Sequence, residues 1–270
     1  MNIANLLLRA GRARAERPAL VVGTDRVADY GALVRRVAAI AGGLGATFGL
    51  EPGSRVALVM RNCPAFVESL FACWHGGWVA VPVNAKLHPR EIAFILAHSG
   101  ARVCFAGSDL APRIAALRPE LPDLRAVVAV EDADYAKLAA AEPAPIATRA
   151  PEDTAWLFYT SGTTGRPKGA MLSHRNLLAM TTSYFVDVDR IAEDDCIIHA
   201  APMSHGSGMY ILPHVAAAAK QVVPASGGFE PDEVFALIET HPGASLFAAP
   251  TMVRRLVDSA AATSADSRNL

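Results

Sequence analysis

The sequence predicts an α/β fold: a sandwich of mostly parallel sheets with flanking helices, arranged in two lobes. Three observations carry that expectation. Apolar runs of strand length alternate with segments of helical period, the rhythm that lays helices over parallel strands. The 270-residue chain is 52% hydrophobic and 19% charged, which is enough apolar material for one large core or two modest ones and excludes disorder as the main reading. Residues 131–152 interrupt the rhythm with acidic, alanine and proline residues and no apolar period. A first lobe over 1–130, a surface connection over 131–152 and a second lobe over 153–270 are therefore expected.

Taken in order, Ile3, Leu6, Leu7 and Ala10 fall on one face of an opening amphipathic helix. Ala19 to Val22 and Val27 to Tyr30 read as a hairpin. Leu33, Val34, Val37, Ile40, Ala41 and Leu44 mark a helix ending in a glycine-rich turn. Arg55 to Met60 is a β-branched strand, followed by Asn62 as a helix cap with Pro64 just inside, and a helix burying Phe66, Leu70, Phe71 and Trp74. Trp78 to Val83 is a strand, Pro89 to His98 a helix stopped by Gly100, and Arg102 to Phe105 a strand. Beyond the connection, strands are expected at Ala155–Tyr159, Cys196–Ala201, Gln221–Val223 and Ser245–Ala248. Helices are expected at about 174–185, 206–219, 231–240 and 251–262. A sheet that ends at Ser245–Ala248 would leave a weakly covered edge.

The charge balance narrows the partners. With 25 basic and 26 acidic residues the formal net charge is −1, so no overall field draws nucleic acid or an anionic membrane, and small molecules become the default ligands. No segment approaches the ~20 apolar residues of a membrane span. Cys63, Cys73, Cys104 and Cys196 have neither CxxC nor metal-ligand spacing, and they read as reduced packing residues of a cytoplasmic protein. Arg9, Arg12, Arg14 and Arg17 leave an organelle presequence open beside the amphipathic helix. Homodimers are common among soluble enzymes, and the sequence leaves a homodimer open without deciding the oligomeric state.

The most informative stretch is Thr160–Gly169, TSGTTGRPKG, placed directly after the apolar strand Ala155–Tyr159. It holds three Gly, three Thr, one Ser and one Lys in ten residues. Glycines let backbone wrap closely around a polyanion, hydroxyls and amides supply donors, and a lysine adds a compact charge for phosphate oxygens. An ordinary surface turn would account for one or two glycines but not for Ser161, Thr163, Thr164 and Lys168 together. The loop is not a Walker A sequence, because Lys168 lies between Pro167 and Gly169, and GxGxxG is absent.

Tyr159–Gly169 with its continuation Met171-Leu172-Ser173-His174-Arg175-Asn176-Leu177 resembles the phosphate-loop signature of the AMP-forming adenylating enzymes. That superfamily includes acyl-CoA synthetases, adenylation domains of peptide synthetases, and luciferases. The resemblance extends through Gly53–Pro64, Gly76–Asn84, Ala201–Gly208 and Ala249–Met252, essentially the whole chain. It implies a carboxylate attacking the α-phosphate of ATP to give an acyl adenylate and pyrophosphate, followed by acyl transfer to coenzyme A. It further implies that Thr160, Ser161, Gly162, Thr163, Thr164, Gly165 and Lys168 hold the phosphates, with Thr160 near Mg²⁺.

By the same resemblance His205 is the catalytic gate at the mouth of the acyl pocket. Gly206, Ser207 and Met209 join it in lining the substrate site, and small residues there leave room for a fatty or aryl group. Ser207 and Met209 read equally well as helix packing. Amino-acid adenylating domains carry an Asp where this chain has Gly206, which favours an acid without an α-amino group. The adenine strand, the Mg²⁺-binding glutamate, the ribose-binding Asp, the hinge and the C-terminal catalytic lysine of the family are not found in these residues. The expectation is thus the N-terminal portion of the acyl-CoA synthetase fold, incomplete and inactive alone. The alternative is a non-catalytic module that retains nucleotide or acyl binding.

Overall fold

The computed structural model of the protein describes residues 1–160, 167–263 and 265–270. Its strands are β1 (Pro18–Val22), β2 (Asp25–Asp29), β3 (Arg55–Met60), β4 (Val79–Asn84), β5 (Ala101–Ala106), β6 (Ala126–Ala129), β7 (Thr154–Thr160), β8 (Lys168–Ser173), β9 (Cys196–Ile198), β10 (Lys220–Val223) and β11 (Ala244–Ser245). Its helices are α1 (Asn5–Ala13), α2 (Tyr30–Phe48), α3 (Pro64–His75), α4 (Pro89–Ser99), α5 (Ala111–Ala116), α6 (Ala133–Ala139), α7 (His174–Asp187), α8 (Gly206–Met209), α9 (Ile211–Ala216), α10 (Pro231–Thr240) and α11 (Pro250–Val257). The chain forms two compact units.

Unit 1 comprises residues 1–5, 35–60 and 65–178. Its sheet has six strands in the order β6-β5-β3-β4-β7-β8, parallel except for the antiparallel β8. The central strands are apolar on both faces because helices cover both, and Val56, Ala57, Leu58 and Val59 are all fully enclosed. Helix α3 buries Phe66, Leu70, Phe71 and Trp74 as expected. The Trp74 indole N–H donates to the Ala155 carbonyl at 2.8 Å and ties α3 to β7. Helix α4 starts at a capping box in which the His88 ring accepts from the Arg90 N–H and Glu91 reaches back to the His88 N–H. It ends at Gly100 in the left-handed region, at φ 63°.

Two expectations change in this unit. The glycines of α2 do not end it: the helix continues through Gly42, Gly43 and Gly45 to Phe48. They serve close packing, since a Cβ at Gly42 would lie 1.9 Å from the Glu142 carbonyl oxygen and one at Gly43 would lie 2.9 Å from Leu138. The 131–152 stretch is correspondingly more than a surface connection. It contains α6, which buries Tyr135 and Leu138, and it stays within unit 1 because β7 pairs with β4.

Unit 2 comprises residues 6–34, 61–64 and 179–270. Its five-stranded sheet runs β11-β9-β10-β1-β2, parallel except for the β1–β2 hairpin. Val21, Cys196, Ile198, Val222, Val234, Leu237 and Ile238 make its core. The Tyr30 hydroxyl donates to the Ala219 carbonyl at 2.7 Å. The expected helix over 206–219 is split into α8 and α9. Pro213 has no N–H, and its ring would clash with the carbonyl four residues back, at Met209, so an unbroken helix is excluded. The expected strand at 245–248 is not formed beyond Ser245, the second of the two residues of β11.

Candidate functional site

In unit 1 the β7–β8 ladder sets Thr160 directly opposite Lys168, the last pair of its register, and both residues are exposed. Lys168 has no ion-pair partner among the described residues. Its charge and the neighbouring hydroxyl thus face solvent together, free to meet an anion. Ser161, Gly162, Thr163, Thr164 and Gly165 lie outside the described residues. Gly169 is required by its neighbour: a Cβ there would sit 2.9 Å from the Tyr159 ring. Tyr159 is buried, and its hydroxyl lies 2.7 Å from His98 Nδ1. His174 is fully enclosed, its Nδ1 accepts the Ile3 N–H at 3.1 Å, and burial pushes its pKa down to about 4.

The Thr160 hydroxyl is chemically suited to Mg²⁺. A hydroxyl oxygen is a hard donor of the type Mg²⁺ accepts, and it supplies one of about six positions, so phosphates and water would have to supply most of the rest. Among the described residues no group of three or more His, Cys, Asp or Glu is placed to hold a metal ion.

In unit 2 the segment after β9 carries the expected substrate residues. His205 precedes α8, is half-buried, and places Nδ1 3.0 Å from the Ser204 hydroxyl. Burial pushes its pKa down from the ordinary histidine value. Gly206 faces an aromatic wall: a Cβ there would approach the Phe247 ring to 2.4 Å, closer than any side chain tolerates. Met209 is half-buried at the end of α8.

Ser207 is fully buried, and its hydroxyl is committed to His199 Nδ1 at 2.7 Å. The other side of that ring, Nε2, lies 3.0 Å from Gln221 Oε1. The amide oxygen can only accept, so Nε2 carries the proton and Nδ1 accepts from Ser207. His199 is held neutral, its pKa pushed down to about 4 by complete burial.

The sequence assigned Asn62 a different role and gave none to His199, Tyr184, Tyr210, His214 or Phe247. Asn62, expected to cap α3, instead spends its carboxamide on residues 199–203. Its Nδ2 donates to the carbonyls of His199 at 2.7 Å and Ala201 at 2.8 Å, and its Oδ1 accepts the Met203 N–H at 2.9 Å. Tyr210 packs edge-on against Tyr184 and Phe247, with ring centroids at 4.9 and 5.5 Å. Tyr184 in turn lies against His214, whose Nε2 is 2.9 Å from the Ser245 hydroxyl. The sequence signal for Asn62 is its place in the family-like stretch Gly53–Pro64, which marks the position but not the bonds.

The chain belongs to the AMP-binding enzyme family, whose match covers residues 7–270. It is 37% identical over 229 residues to a feruloyl-CoA synthase of an Amycolatopsis species, an alignment covering 84% of this chain and 44% of that one. It is 32% identical over 241 residues to a 4-hydroxybenzoate–CoA/benzoate–CoA ligase of Rhodopseudomonas palustris, covering 86% and 44%. The inhibitor-bound N-terminal domain of FACL13 from Mycobacterium tuberculosis has the same fold, with a TM-score of 0.89 at 24% identity over 100% of this chain and 68% of that one. The chain spans about half the length of the curated relatives it matches, 44% in both cases. Among the described residues no helix is long and apolar enough to cross a membrane, and the four cysteines are free thiols.

Proposed function

We propose that the protein activates a carboxylic acid, fatty or aryl, with ATP and transfers the acyl group to coenzyme A. In the first step a carboxylate oxygen attacks the α-phosphorus, the α–β bridging bond breaks, and pyrophosphate leaves. In the second the CoA sulfur attacks the acyl carbonyl and AMP leaves. The observation that carries this reading is the pairing of exposed Thr160 with exposed Lys168, which has no ion-pair partner among the described residues, at the end of the β7–β8 ladder. Lys168 would neutralise phosphate oxygens, Thr160 would face Mg²⁺, and Ser161, Gly162, Thr163, Thr164 and Gly165 would complete the cradle. Such a step needs positioning and charge neutralisation more than covalent help.

In the proposed acid site, His205 orients the carboxylate by a hydrogen bond. Gly206 and Met209 line the entry, and Ser207 shapes it through His199. The Phe247 ring over Gly206 leaves no room for an aspartate there, which supports an acid without an ammonium group. The names of the relatives favour aryl acids and the CoA acceptor. Buried thiols at Cys73, Cys104 and Cys196 agree with a reducing, cytoplasmic setting. A homodimer completes the proposal, and sedimentation tests it.

The decisive measurement is carboxylate-dependent exchange of labelled pyrophosphate into ATP, on the polypeptide expressed from its own reading frame, with ferulate, 4-hydroxybenzoate and a long-chain fatty acid as test acids. Lys168→Ala should lower kcat/KM for ATP by about 10- to 100-fold, the worth of one charge-assisted phosphate contact. Kinetics unchanged in that variant would remove the phosphate role. ATP binding without any exchange by the polypeptide that the complete reading frame encodes would instead favour the non-catalytic module.

A further inference from the structure

Unit 1 holds a cavity of about 480 Å³ that the proposed chemistry does not use. Its floor is the β7–β8 ladder, where the register sets Leu157 opposite Met171 and Tyr159 opposite Gly169, so these residues share one face of the sheet. Val79 extends that apolar floor. Gly169 contributes no side chain, and the Tyr159 ring folds over it.

The polar side of the cavity lies at the C-terminal end of α4. Here His98 meets the Tyr159 hydroxyl, and Arg55 Nε donates to the Ser99 carbonyl at 2.6 Å. That bond caps the helix and uses one of the N–H groups of the guanidinium. Gly100 is what lets Arg55 lie there, since a Cβ at that position would approach Nη2 to 2.5 Å. No carboxylate among the described residues pairs with Arg55, and no residue lining the cavity is acidic. The second cation on the wall, Arg149, is already neutralised by Asp153 at 2.9 Å.

One guanidinium with no carboxylate partner among the described residues, set above an apolar floor, complements a monoanion with an apolar body. A polyphosphate would bring more negative charge than one guanidinium offsets, and a neutral apolar molecule would leave the charge unused. The volume falls within the ~300–1,000 Å³ range of small-molecule sites. We propose that this cavity binds a small amphipathic carboxylate, its head on the remaining Arg55 N–H groups and its body over Leu157, Met171 and Val79. This site is separate from the acid-activating one proposed in unit 2.

Met171, 72% exposed, supplies the reporter. In protein labelled with ¹³C-methyl methionine, titration with sodium octanoate should shift the Met171 methyl resonance saturably, its assignment made with Met171→Leu. Octanamide, with the same body and no charge, should bind about tenfold more weakly, as should octanoate to Arg55→Met, because each loses a charge-assisted contact. His205→Ala should leave the titration unchanged. The proposal is overturned by an unresponsive Met171, by equal affinities for octanoate and octanamide, or by loss of the shift in His205→Ala. The octanamide comparison uses the unaltered chain, so it decides the matter even if Arg55→Met does not fold.

Discussion

Three backbone groups of residues 199–203 would be buried without partners but for one carboxamide. His199, Ala201 and Met203 are each at most 2% exposed, and the last ladder-type bond is the one from the His199 N–H to the Val222 carbonyl at 2.8 Å, so the sheet does not serve the carbonyls of His199 and Ala201 or the Met203 N–H. Asn62 answers all three because a carboxamide donates and accepts at once. A helix cap at this position would tolerate aspartate as well as asparagine. The clamp would not, since an aspartate side chain in its place would turn an acceptor oxygen toward two carbonyls. Asn62→Asp and Asn62→Ala should therefore each cost about 2–5 kcal/mol in urea unfolding, from buried groups left unsatisfied. Both should also lose hydrogen-exchange protection at the Met203 amide. A near-neutral Asn62→Asp would restore the cap reading.

At the level of a single element, α2 inverts an ordinary rule. Replacing an interior helical glycine by alanine normally stabilises by about 1 kcal/mol, by removing backbone freedom from the unfolded chain. Gly42 is different because residues 142–144 cross the helix at backbone contact, with the Ala144 N–H donating to the Ala38 carbonyl at 3.0 Å. Gly42→Ala is expected to destabilise by about 1–3 kcal/mol, the usual cost of overpacking. Gly45, whose nearest neighbour to a Cβ is the Trp78 ring at 3.9 Å, should accept alanine. Thermal unfolding of the two variants separates the cases, and a stabilised Gly42→Ala would refute the close crossing.

Across the whole molecule, buried neutral histidines set the acid limit. His174, His199 and His214 are each at most 1% exposed, and burial pushes each pKa down to about 4. In the unfolded chain they titrate near 6.5, so between about pH 6.5 and 4 the unfolded state binds more protons. Stability is therefore full above pH 6.5 and falls as pH drops, by about 1.4 kcal/mol per pH unit for each histidine. Chemical denaturation at pH 7, 6 and 5 should show this slope, and His199→Gln should flatten it. A midpoint independent of pH across that range would contradict the burial of these rings. The hairpin, the strands β3 to β5, the helices α3 and α4 and the α4 stop at Gly100 were legible in the sequence, because they follow from periods of two and 3.6 residues and from local turn chemistry, whereas β6, β8 and α6 were not. The sequence by itself also determined the family and the chemistry expected of it. Only the tertiary structure decided that β7 and β8 join the sheet of β3–β6, that the α2 glycines receive a crossing chain, and that Asn62 holds residues well over a hundred positions away. Such bonds depend on sheet register and close backbone approach between distant segments, which no local pattern of apolar and polar residues encodes.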